Sequence, residues 1–312
     1  MNYVLITPAR NEEAGIARIL DCMCAQSQRP LKWVVVDDGS TDRTANIVSE
    51  YAERHAWIEL VRRPPRKERT FAGKVHAFNA GFERVKALQF DVIGNLDADI
   101  SFAPDHFELL LARLREDALL GVVGAAYTED GWDSMQDSFE GAESVHGACQ
   151  LFRYECFKDI GGYVPHRAGG IDWIAVTTAR MKGWKTRNFP ERRFHHHRTM
   201  GTAERSALGA MFDYGKKDYF LGGSPTWQVC RVLYRMTKRP LFVGGLALLC
   251  GYGWAALSRI ERPVTPELMR FHRREQMTKL RRLVSSLIRL RPVDKFHLNS
   301  SGEEPQAPRA QL

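Results

Sequence analysis

Asp97 and Asp99 close an apolar run, Phe90-Asp-Val-Ile-Gly-Asn-Leu. On an extended strand residues i and i+2 point to one face, so both carboxylates can leave a sheet edge together. They can then share one hard cation. Mg²⁺ or Mn²⁺ takes oxygen ligands and completes its shell with phosphate oxygens and water, so Asp97-Ala98-Asp99 reads as a metal and diphosphate site. An Asp pair where a strand becomes a loop is also a common solvated turn, so the neighbouring segments must decide between the two.

Those segments repeat one plan. Met1 to Thr7 is an apolar strand that runs into Pro8-Ala9-Arg10-Asn11-Glu12-Glu13, after which Ile16, Ile19, Leu20 and Met23 recur at helical spacing. Leu31 to Val36 is a second apolar, β-branched strand, broken at Asp37-Asp38-Gly39-Ser40-Thr41-Asp42 before a helix from Arg43 to Glu53. Continuous apolar strands alternating with helices predict a parallel sheet covered on both faces. Ligands in such sheets bind beyond the carboxyl ends of the strands, so the loops around Glu12, Asp38 and Asp97/Asp99 are expected to meet at one edge.

The ordered set TPARNE, VVVDDGSTD, GKVHAFNAGF and NLDAD resembles a family 2 glycosyltransferase with the GT-A fold, over about Met1 to Arg193. The resemblance implies an α/β fold, a Rossmann-like and mostly parallel sheet with flanking helices. It also implies inverting transfer of a sugar from a nucleoside-diphosphate donor, with Mn²⁺ or Mg²⁺ as cofactor. By the same resemblance Pro8, Ala9, Arg10, Asn11 and Glu12, with Asp38, Gly39 and Ser40, hold the base and ribose. Lys74 and Asn79 match the segment beside the nucleotide, and Asp97, Ala98 and Asp99 match the metal and diphosphate motif. Residue chemistry agrees: a carboxylate such as Asp38 accepts from a base N–H or ribose hydroxyls, whereas phosphate needs a cation between. Rival motifs are missing, since no Gly-x-Gly-x-x-Gly follows the first strand and Gly73-Lys74 lacks the rest of a P-loop. The glycine-rich basic loop of a nucleotidyltransferase is also missing.

A sugar hydroxyl is a poor nucleophile until its proton begins to leave, so transfer needs a base. The family places an acidic pair before a helix in the second half; here the matching stretch is Gly169-Gly170-Ile171-Asp172-Trp173. Ile171 stands where the usual Glu would be, which leaves Asp172 as the candidate base. Asp is also a strong helix N-cap, and both roles can coexist. On the acceptor side, His146, Gln150 and Trp173 are the candidates, while Gly161 and Gly162 read as a tight turn. In His195-His196-His197-Arg198 alternate side chains face opposite ways, so at most two histidines can serve one site. His197, with Arg198, is the candidate third metal ligand, and a partly exposed histidine cluster is the alternative.

The 312 residues suit one α/β domain at 1–230, a basic helical region at 231–295 and a disordered tail at 296–312. Six cysteines without metal-type spacing predict reduced thiols, and the amino-terminal strand carries no secretory leader pattern, so a cytoplasmic location is expected. The net charge of +8 is unevenly placed: 231–295 holds 15 Lys/Arg against 4 Asp/Glu. Residues 241–258 lack charge over 18 positions, near the lower limit for a span, but contain four glycines and have basic flanks on both sides. This reads as a re-entrant or interfacial hairpin. Pro266 to Leu290 follows as a helix with Met269, Met277, Leu280, Val284, Leu287 and Ile288 along one side, the pattern of a helix on an anionic membrane. Peripheral or monotopic attachment at the cytoplasmic face, with a lipid-linked glycan as acceptor, is therefore expected, and a single span and a soluble packing helix are the alternatives. Two other classes stay open: a membrane-bound nucleotide-sugar-binding protein without turnover, and a nucleic-acid binder. The apolar stretch and missing motifs speak against the second, so no nucleic-acid partner is expected.

Overall fold

A computed structural model describes residues 1–65, 71–129, 132–134, 141–197 and 207–289. The apolar runs form the expected strands: β1 (Tyr3–Ala9), β2 (Lys32–Asp37), β3 (Ile58–Arg62) and β4 (Val92–Leu96). They pair in the order β3-β2-β1-β4, all parallel. Both faces are covered, which is why their side chains are buried without alternation. On one face lie α1 (Ile16–Cys24) and α2 (Thr44–Arg54), with Ile16, Ile19, Leu20 and Met23 of α1 inside. On the other lies α3 (Phe71–Val85), through Val75, Phe78 and Val85.

Beyond β4 the sheet becomes mixed. The further elements are β5 (Ile100–Phe102), α4 (His106–Glu116), β6 (Leu120–Glu129), β7 (Trp132–Asp133), β8 (Cys149–Arg153), α5 (Tyr154–Asp159), α6 (Ile171–Met181) and β9 (Lys185–His196). The order continues β8-β6-β9-β5, with β7 beside β6; β8 is antiparallel to both β4 and β6, and β5 to β9. The parallel character expected from the sequence thus belongs to the first four strands.

Four helices complete the described chain: α7 (Ala207–Phe220), α8 (Pro225–Met236), α9 (Val243–Leu257) and α10 (Pro266–Ile288). The expected boundary at residue 230 falls inside α8, and the tail at 296–312 lies outside the described residues. Within the uncharged stretch 241–258, Val243–Leu257 form one helix rather than a hairpin; the reversal lies before that helix, at 237–242, so that α8 and α9 make the hairpin. Among the described residues no helix is long and apolar enough to cross a membrane.

The glycines of α9 are explained by contact. A Cβ on Gly251 would sit 1.9 Å from the Phe212 carbonyl oxygen of α7, and one on Gly215 of α7 would sit 2.0 Å from that of Leu248. The two backbones touch, and only glycine fits. Gly253 on the same helix has nothing within 4 Å. Gly251→Val should therefore destabilise the protein by about 1–3 kcal/mol, because backbone cannot move aside as a side chain can. Gly253→Ala should stabilise it by about 0.5–1 kcal/mol through helix propensity alone. Denaturant unfolding followed by circular dichroism separates the two.

Candidate active site

The carboxyl ends of β1, β2 and β4 open into a cleft of about 370 Å³, a size suited to a small ligand. The parallel register sets Ala9 level with Asp37, so the two loops leave the sheet together. Pro8, Ala9, Arg10, Glu12, Asp38, Lys74, Asp97, Ala98 and Asp99 line the cleft, as expected, and Phe71 joins them. Phe71 was not singled out from the sequence because an isolated apolar residue at a helix start carries no pattern.

Asn11, Gly39 and Ser40 hold the loops in shape. The Asn11 backbone N–H donates to Ser40 Oγ at 2.9 Å, and Asn11 Oδ1 accepts from the Thr41 N–H at 2.8 Å. Gly39 has φ +77°, and a Cβ there would lie 2.6 Å from Pro65 Cα. The Glu12 backbone N–H donates to Thr44 Oγ1 at 2.8 Å, tying the β1 loop to α2. Asp38 receives Arg63 Nη1 at 2.6 Å and is almost fully buried. Asn79 is exposed; five residues past Lys74 on a helix is about 140° round the axis, so α3 cannot turn both into the cleft.

At the end of β4, Asp97 Oδ1 accepts from Lys74 Nζ at 2.5 Å and from Asn95 Nδ2 at 3.1 Å. Asp97, Asp99 and His196 each offer a ligand atom, all within 4.8 Å of one another, a spacing that one divalent ion closes with small shifts. The histidine beside the pair is His196, not His197, and strand parity is the reason. In the β5–β9 pairing Ile100 faces His196, whose Nε2 lies 3.6 Å from Asp99 Oδ1. His195 and His197 share the other face, where their rings meet at 4.6 Å and His197 Nε2 lies 2.8 Å from Ser101 Oγ. Arg198 lies outside the described residues.

Asp172 sits in the first turn of α6, half-buried. It is not the N-cap: Gly170, with φ +79°, holds that position. Gly147 makes room for the carboxylate, since a Cβ there would lie 2.8 Å from Asp172 Cβ and 2.9 Å from Oδ2. The Gly147 carbonyl accepts from Asn95 Nδ2 at 2.5 Å, and the Asp97 N–H donates to the adjacent Ala148 carbonyl at 2.8 Å. One strand end and one loop thus join the Asp97 cluster to Asp172. Burial pushes the Asp172 carboxyl upward, but Lys217, the Trp173 N–H, Lys74 and His146 together outweigh it and hold its pKa below the ordinary aspartate value.

Of the three acceptor candidates only His146 lies at this place, edge-on to Tyr127 at 4.6 Å and close enough to Asp172 to act on its charge. Gln150 is fully buried: its Nε2 donates to the Val145 carbonyl at 2.7 Å and its Oε1 accepts from Tyr163 OH at 2.7 Å. Its amide is committed to the core, so its expected role with an acceptor sugar is withdrawn. Trp173 packs edge-on against His272 of α10 at 4.5 Å and so faces the helical region. Lys217 and Arg63 are additions; nothing in the sequence places them beside carboxylates 45 and 25 residues away.

The family model described as glycosyl transferase family 2 matches residues 4–172, more than half of the chain. The chain belongs to that family. It is 33% identical over 162 residues to the probable glycosyltransferase YdaM of Bacillus subtilis, covering 49% of this chain and 37% of that protein. It is 29% identical over 134 residues to the undecaprenyl-phosphate 4-deoxy-4-formamido-L-arabinose transferase of Pseudomonas aeruginosa, covering 41% and 37%. The matched segment thus spans well under half of the length of either relative. Among solved structures it resembles a mannosyltransferase from Pyrobaculum calidifontis in complex with GDP-Man and Mn²⁺, with TM-score 0.55, 19% identity and coverage of 93% and 80%. It also resembles S. aureus TarS 1–349 in complex with UDP-GlcNAc, with TM-score 0.54, 14% identity and coverage of 96% and 89%. These likenesses establish the GT-A architecture of this family 2 member.

Two variants test the cation site in opposite directions. Asp99→Asn should weaken Mn²⁺ binding by about tenfold or more, because a ligand charge is lost. Lys74→Met should tighten it in the absence of nucleotide, because the ammonium that neutralises Asp97 is gone. Calorimetric Mn²⁺ titration reads both.

Proposed function

We propose that this family 2 member is an inverting glycosyltransferase that moves a sugar from a nucleoside-diphosphate donor to a hydroxyl of a lipid-linked glycan at a membrane surface. The observation that carries the reading is the bridge from Asp97 through the Gly147 loop to Asp172, which sets a carboxylate next to the candidate diphosphate site. In this reading the β1 and β2 loops hold the nucleoside, with Asp38, paired to Arg63, accepting from its base or ribose. Lys74 reaches the diphosphate. Asp97, Asp99 and His196 are the residues that would hold Mn²⁺ or Mg²⁺, and a cation there would neutralise charge on the departing diphosphate. An imidazole among the ligands favours Mn²⁺ over Mg²⁺, which prefers an all-oxygen octahedron.

Asp172 takes the proton of the attacking hydroxyl. Its lowered pKa keeps it ionised at neutral pH, ready to accept. Relatives named as undecaprenyl-phosphate transferases support a lipid carrier on the acceptor. A family likeness to a mannosyltransferase solved with GDP-Man and to a protein solved with UDP-GlcNAc supports a nucleotide-sugar donor of either base.

The test is nucleoside-diphosphate release from a panel of UDP-, GDP- and dTDP-sugars with Mn²⁺ or Mg²⁺, with and without membrane lipid extract. One donor should turn over, and Asp172→Asn should lower kcat by about 10²–10⁴-fold. Binding without turnover of any donor, even with extract, would leave a nucleotide-sugar-binding protein in place of the enzyme. Turnover unaffected by Asp172→Asn would point to an acceptor oxygen that is already anionic, such as a lipid phosphate. The pH profile carries a sign as well. A depressed pKa keeps the base active as pH falls, until the pH passes through that depressed value. Lys217→Met removes one cause of the depression and should move the acid limb of kcat/KM upward in pH.

A further inference from the structure

The α8–α9 hairpin exposes apolar surface where a water-facing helix pair would carry charge. The buried side of α9 is Gly244, Gly245, Leu248, Gly251 and Ala255, set against α7 and α8. Its opposite side, Leu246, Cys250 and Leu257, is exposed, Leu257 to 88%, and Trp254 stands half exposed at the edge toward α7, with Lys216 Nζ 5.4 Å from its ring. Between Val243 and Leu257 there is no charged residue to face water. At the reversal three consecutive apolar residues stand out: Leu241 at 53%, Phe242 at 67% and Val243 at 49% exposure. On α8, Val229 and Leu233 extend the surface.

Cations rim this surface. Arg235, Lys238 and Arg239 stand before the tip, and the exposed Arg259 follows α9. Arg235 Nη2 donates to the Arg239 carbonyl at 2.8 Å, which fixes the guanidinium beside the turn. An apolar tip ringed by guanidinium and ammonium groups complements acyl chains under an anionic headgroup layer. A second copy of this chain is a poor match, because a two-fold contact would set each basic rim against its own counterpart. The 15 residues of α9 reach about 22 Å, short of a hydrocarbon core of about 30 Å, so the helix can lie in the interface but not cross it.

We infer that the α8–α9 hairpin is a membrane wedge, whose tip Leu241-Phe242-Val243 enters the outer acyl region of an anionic bilayer while Arg235, Lys238 and Arg239 contact lipid phosphates. The inference rests on the membrane-surface part of the proposed function and names the segment that docks. Phe220 and Leu221 at the end of α7 pack with Ile174 of α6, and Leu221 lies over Gly170, the residue that starts the Asp172 helix. A docked hairpin therefore holds Asp172 at a set height above the lipid, where a lipid-borne acceptor can reach it.

The test is sedimentation of the full chain with phosphatidylcholine vesicles, with and without about one-third phosphatidylglycerol. The wild type should pellet with the anionic vesicles. Leu241→Asp with Phe242→Asp should lower the bound fraction about tenfold, with nucleotide affinity unchanged as the control for folding. Brominated acyl chains should quench part of the tryptophan fluorescence, and Trp254→Phe, which leaves the tip intact, should remove that part. Vesicle binding that survives the double substitution would overturn the wedge while leaving membrane attachment standing. A wild type that ignores anionic vesicles would overturn both, leaving the donor-release result unaffected. A dimer in sedimentation equilibrium that Phe242→Asp dissociates would assign the surface to a second copy instead.

Discussion

Negative charge gathered at one sheet edge is the constraint that the rest of the structure answers. Asp38, Asp97 and Asp99 line a single cleft, and Asp172 joins it through the Gly147 loop. Like charges at such range repel one another and oppose the closed arrangement unless donors or cations intervene. Each carboxylate has a partner, and each partner arrives on a different element. Arg63 comes from the exit of β3 to Asp38, Lys74 from α3 to Asp97, His196 from β9 to Asp99, and Lys217 from α7 to Asp172. A site of this charge cannot be made by the first four strands alone. It needs the mixed half of the sheet and the first helix beyond it.

The first half of this arrangement was legible because its signals are local. Continuous apolar strands ending in polar loops gave the parallel sheet and put Glu12, Asp38 and Asp97 at one edge, where they stand. Residues whose role depends on parity or rotation were harder. A run of three histidines says that alternate rings face opposite ways but not which ring faces Asp99; only the β5–β9 register selects His196. Lys74 and Asn79 share one helix, yet the turn per residue lets only one of them face the cleft. The residue type of Gln150, in the strand before the candidate base, suits a sugar hydroxyl. Its amide is consumed by Val145 and Tyr163, a pairing set by tertiary packing that no motif announces.

The glycines of the helical region show the same limit from the other side. Four glycines in an uncharged stretch suggested a broken, re-entrant segment, and intrinsic propensity supports that reading. Tertiary contact overrides it, since Gly251 and Gly245 are where α9 meets the backbones of α7 and α8. Gly253 has no such neighbour, so the composition mixes contact glycines with one that contact does not require. Sequence alone cannot sort them.

α6 is held from two sides, and this decides how the helical region relates to the transferase fold. Its amino end rests under Leu221, and its carboxyl end is tied by Arg180, whose Nε and Nη2 donate to Glu275 of α10 at 2.7 and 3.1 Å. That pair is largely shielded from water, so losing either partner would strand a charge rather than release one to solvent. Between the two ends, Trp173 meets His272, whose pKa burial and the neighbouring Arg180, Lys279 and Arg273 lower to about 3. The imidazole is neutral across the physiological range, so this contact does not change with pH. The position of Asp172 is therefore set by α7 and α10 as much as by the sheet. A cut at residue 230 would pass through α8 and remove the α10 half of that support, so the basic helices belong to the framework that holds Asp172.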